Sequence, residues 1–117
     1  MKKQVFAKQV LILCLLLGVM FTHEGVVYAA NANDVDCYAY QNDNDIVAAV
    51  SGIGGKDCII TIKYYDGNDT YLKTKAYYRE QVDRFKIYDR IPWNADHAIV
   101  QFYLNEVEVG YRYIHLD

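Results

Sequence analysis

From Cys58 to Tyr65 the chain alternates strictly. Cys58, Ile60, Ile62 and Tyr64 fall on one face, with Thr61 and Lys63 on the other, the period of a half-buried strand. Asp66-Gly67-Asn68-Asp69 then supplies turn chemistry, because Gly and Asn tolerate positive φ and Asp bonds its neighbouring backbone. The next run, Thr70 to Tyr78, sets Leu72, Thr74 and Ala76 against Tyr71, Lys73, Lys75 and Tyr77. The spacing predicts a hairpin over 58–78. Further alternating runs lie at 35–41, 46–50, 85–88, 98–104 and 107–114. Between them stand Gly52 to Asp57 as a glycine-rich loop, Trp93 to Asp96 as a loop after the strand-stopping Ile91-Pro92, and a short turn at Asn105-Glu106. Residues 79–84 read as a single helical turn or a plain loop. Seven short strands at this spacing predict an all-β domain over residues 31–117, a small antiparallel β-sandwich of Ig-like or Greek-key type.

The first thirty residues carry a different pattern. Lys2, Lys3 and Lys8 precede an apolar stretch from Val10 to Phe21, interrupted only by Gly18. A membrane-spanning helix needs about 20 apolar residues, so this run is short for a span. Small residues at Ala29, Ala30 and Ala32 offer cleavage sites. Positive start, short apolar middle and small-residue exit predict a signal peptide over 1–30 and a secreted or extracellular product. An uncleaved N-terminal anchor is the alternative. Cys14 lies within the run behind Leu13, which disfavours a lipid-modified cysteine.

Beyond residue 30 the chain holds 9 Lys and Arg against 14 Asp and Glu, a formal charge of −5. That balance argues against a nucleic-acid partner, which calls for a basic surface. Cys37 and Cys58 are the two cysteines left after cleavage, and an even pair in an exported domain predicts a disulfide. Closing a loop of about 20 residues in this way is worth roughly 3 kcal/mol. No set of cysteines and histidines has metal-ligand spacing, and no cofactor is expected.

Chemistry is sparse. Gly52-Ile53-Gly54-Gly55-Lys56 precedes a strand rather than a helix and lacks a following Ser or Thr, which disfavours a phosphate-binding loop. His97 or His115, with Asp96, Glu80 or Arg112, offers a general base of the sort small secreted ribonucleases use, although no spacing brings these residues together. Asn68-Asp69-Thr70 matches the N-glycosylation acceptor pattern at the hairpin tip.

Tyrosine is the informative residue. Eleven of the 12 lie beyond residue 30, more than a domain of this size buries. Tyr38 and Tyr40, Tyr71 and Tyr77, and Tyr88 and Tyr103 are placed by alternation opposite the aliphatic residues. Tyr71, Tyr77, Tyr88, Tyr103 and the loop residue Trp93 are therefore candidate binding residues, since Tyr and Trp give large rigid contacts with a polar tip. Cross-strand packing is the competing role.

The signal peptide, the cysteines bracketing the first hairpin region and the run Cys58 to Asp66 resemble small secreted β-sandwich inhibitors of α-amylase. That family's Trp-Arg-Tyr triplet is replaced here by Gln41-Asn42-Asp43-Asn44-Asp45, and its second disulfide is missing, so no inhibitory residue carries over. The expectation is a secreted, non-enzymatic binding module (an inhibitor, adhesin or effector) for a protein or carbohydrate partner outside the cell. The alternatives are a small secreted hydrolase or nuclease-like toxin centred on His97, and a self-associating cell-envelope domain.

Overall fold

The computed structural model describes residues 35–117, so the expected leader lies outside the described residues. Five strands follow one another: β1 (Asp36–Asn42), β2 (Asp45–Tyr65), β3 (Tyr71–Arg90), β4 (His97–Leu104) and β5 (Val107–His115). All pairings are antiparallel, and no helix occurs among the described residues. The hairpin predicted over 58–78 is present, with Ile59 opposite Tyr78 and Ile60 opposite Tyr77.

The seven-stranded sandwich is corrected to a single curled sheet of five strands. The expected strands 46–50 and 58–65 are two halves of β2, and 70–78 and 85–88 are two halves of β3. A straight strand of 21 residues at about 3.3 Å each would run roughly 70 Å, whereas the longest dimension of the protein is 40 Å. The long hairpin must bend. The glycine-rich segment and residues 79–84 are that bend rather than a loop and a helical turn. Gly52, Gly54 and Gly55 take φ of 73°, 69° and 78°, and Gln81 opposite takes 49°. The ladder shifts register between Ser51 and Lys56 and again between Lys56 and Cys58. Glycine reaches such φ values without the steric cost of a Cβ.

The bend sets the topology. β3 runs along one side of all of β2. On the other side, β1 pairs with the first half, over 45–51, and β4 with the second half, over 58–65, with β5 beyond β4. The two halves fold over each other as a half-barrel. The core lies between them, built from Ile46, Ala48, Val50, Phe85 and Ile87 on one side and Ile60, Ile62, Val100 and Phe102 on the other, with Ile53 at the bend. Arg112 Nη2 on β5 donates to the Cys37 carbonyl on β1 (2.8 Å), and the Asp117 amide donates to Gln41 Oε1 (2.9 Å), drawing the open edges together.

The Cys37–Cys58 disulfide expected from the sequence is not formed, and both residues are free thiols. Cys37 pairs with Val50 and Cys58 with Leu104, so they belong to opposite halves and meet the same core. Burial pushes their pKa values up to about 11 and about 12. They stay protonated at neutral pH, and the thiol is the unreactive form.

Candidate functional site: a tyrosine ladder on the outer face

The outer face of the four-stranded half carries a row of rings running across the strands. Tyr71 on β3 lies opposite Tyr65 on β2, and Tyr65 lies opposite His97 on β4. Tyr113 on β5 joins diagonally, two residues before His115, the direct partner of His97. Tyr65 meets Tyr71 edge-on at 6.0 Å between ring centroids. His97 is stacked between Tyr65 at 5.2 Å and Tyr113 at 5.3 Å. Cross-strand aromatic pairs of this kind stabilise a sheet by a few tenths to about 1 kcal/mol each.

The row rests on a built turn. Asp66 Oδ1 accepts the amides of Asn68 (2.8 Å) and Thr70 (2.9 Å), which holds its carboxyl below the usual carboxylate range. The turn carries Asn68 exposed at its tip and brings Asp69 over the imidazole. His97 Nε2 lies 3.3 Å from Asp69 Oδ1, and Nδ1 lies 3.0 Å from Asp96 Oδ2. His97 is 6% exposed. Both ring nitrogens face carboxylates and both ring faces are covered, so no lone pair is directed at an incoming substrate. His115 is exposed and 3.9 Å from Asp96. Arg112 is held at the β1 edge, and Glu80 is exposed at the bend of β3. The residues weighed as a hydrolytic site are brought together only in part, as Asp96, His97 and His115. Among the described residues no group of three or more His, Cys, Asp or Glu side chains could hold a metal ion.

The five residues singled out from the sequence do not share one surface. Tyr71 belongs to the ladder and is half exposed. Tyr88 lies on the other half of the sheet, where Tyr40 and Tyr88 flank Val47 and Tyr38 stacks near Tyr40 at 6.0 Å. Tyr103 is half-buried between Ile59 and Glu108, and burial pushes its pKa up to about 12. Trp93 is 95% exposed in the loop before β4. Tyr77 faces inward: its hydroxyl donates to the buried Asp89, which also accepts from Tyr64 Oη at 2.5 Å.

Tyr71 and Tyr77 share parity in the sequence yet face opposite ways. The ladder shifts between Tyr64, which pairs with Lys73, and Tyr65, which pairs with Tyr71, leaving Leu72 bulged. A one-residue bulge exchanges the faces of everything beyond it. Tyr65, Tyr111 and Tyr113 were not singled out. Tyr111 and Tyr113 are 50% and 57% exposed, and their placement depends on a second bulge, at Val109, between the pairs Phe102–Gly110 and Tyr103–Glu108. Comparison with known proteins yields no match: no family model, no curated protein and no solved structure aligns with this chain.

Proposed function

We propose that this chain is an exported, non-enzymatic binding module whose outer tyrosine face engages a protein or carbohydrate partner outside the cell. The observation that carries the reading is the half exposure of Tyr71, Tyr111 and Tyr113 on one face, beside rings already fixed by stacking. Pre-ordered rings with polar tips lose little conformational freedom on binding, which is why Tyr dominates contact surfaces. Export rests on the N-terminal pattern of charge and apolar residues.

The test immobilises the chain from residue 31 and screens it against a glycan array and against proteins of the surrounding medium, beside the Tyr111→Ser/Tyr113→Ser variant. A species retained by the parent and lost from the variant, with the melting temperature unmoved, is the expected outcome. Equal retention by both proteins would remove the outer ladder from the interface.

A further inference from the structure

A second surface, distinct from the ladder, is the free edge of β3. This strand is 20 residues long and, among the described residues, pairs with β2 alone. Over residues 84–90 its other side therefore presents N–H and C=O groups that no described strand pairs, a template for one more strand. The edge is also where the positive charge of this acidic chain gathers. Lys73, Lys75, Arg79, Arg84, Lys86 and Arg90 all lie on β3, leaving Lys56, Lys63 and Arg112 for the rest of the described residues.

The segment beyond the bend is the more regularly alternating template. Arg84, Lys86, Tyr88 and Arg90 alternate outward and are exposed, while Phe85, Ile87 and Asp89 alternate inward and are buried. Lys86 Nζ sits 5.5 Å from the Tyr88 ring centroid. Arg90 meets Asp45 at 3.5 Å in a pair that leaves 77% of the arginine side chain exposed, too wet a contact to neutralise it. Of the acids on β3, Asp89 points into the core onto Tyr64 and Tyr77, while Glu80 and Asp83 lie at the bend. Charged edges commonly serve only to repel other copies of the same sheet. A single-signed outward row is more particular: it repels its own kind and attracts an extended strand of opposite charge.

We propose that β3 over residues 84–90 takes up an acidic extended peptide by strand addition. The peptide's outward carboxylates would meet Arg84, Lys86 and Arg90, and its inward apolar side chains would continue the layer of Phe85 and Ile87. The main-chain spacing of the edge selects a polypeptide over other polyanions, because an alternating N–H and C=O repeat is what it offers.

The probe is a fluorescein-labelled octapeptide of alternating Glu and Val, followed by anisotropy with the chain from residue 31. Three results are expected. Binding is saturable and weakens with salt. Of two peptides of equal charge, each N-methylated on one alternating set of residues, the one methylated on the set that faces the edge binds about tenfold or more weakly and the other keeps its affinity, since only one set donates to β3. Arg84→Glu/Lys86→Glu lowers affinity by about tenfold or more, with Lys86→Ala as the milder variant should the double one lose its thermal transition. Absence of saturable binding overturns the proposal, as does equal affinity for the methylated peptides or equal competition by polyacrylate, either of which would mean attraction by charge alone.

Discussion

At the scale of single residues, His97 is the most deeply buried ring of the outer ladder. It is stacked on both sides, meets a carboxylate at each nitrogen, and is 6% exposed. Such a side chain is a strut. His97→Ala should cost about 2–3 kcal/mol, the scale of a buried ring and its hydrogen bonds together. Urea denaturation should show the loss as a lower midpoint at an unchanged slope. A histidine kept for proton transfer would instead be removable with little change in the midpoint. Trp93 is the opposite case, at 95% exposed with nothing packed over it.

At the scale of elements, the bends and bulges decide what the alternation could and could not reveal. Every expected strand exists, because period-two alternation records which face is buried. The alternation is mute on continuity. Ser51 and Lys56 both pair with β3, and between them four residues of β2 pass a single residue of β3, Asp83, without ending either strand. The bulges at Leu72 and Val109 are equally hidden, since each depends on how two strands meet rather than on either sequence. That is why Tyr71 was legible as a surface residue, Tyr77 was assigned to the wrong face, and Tyr113 passed unremarked. The bend itself is open to test. A Cβ at Gly55 meets nothing within 4 Å, yet its φ is +78°. Gly55→Ala should therefore cost about 1–2 kcal/mol from backbone strain alone, read as a lowered melting temperature with the circular dichroism spectrum of the sheet retained.

At the scale of the whole molecule, several buried acids of high pKa share one core. Burial raises Cys58 from 9.0 to about 12 and Cys37 from 9.0 to about 11. Burial, reinforced by the hydrogen bond to Asp89, also raises Tyr64 and Tyr77. Each group holds its proton longer folded than unfolded, so its contribution is complete below the unfolded value and is lost as pH climbs toward the folded one. With a reductant present, the denaturation midpoint should be level from pH 7 to about 8.5 and fall steadily above about pH 9. A midpoint constant to pH 11 would contradict the buried placement of these groups.

The same scale holds the functional question, because the two outer faces lie on opposite halves of the curled sheet and the tyrosine ladder is proposed to engage the partner on one of them, apart from the β3 edge beside Tyr88. Tyrosine nitration, mapped by mass spectrometry, compares the protein in the unfractionated fluid around its source cells with the purified protein in buffer. Tyr71, Tyr111 and Tyr113 should be shielded in the first setting and reactive in the second, while Tyr38 and Tyr40 react equally in both. Equal nitration of all five in the two settings, or shielding confined to Tyr38 and Tyr40, would contradict the account.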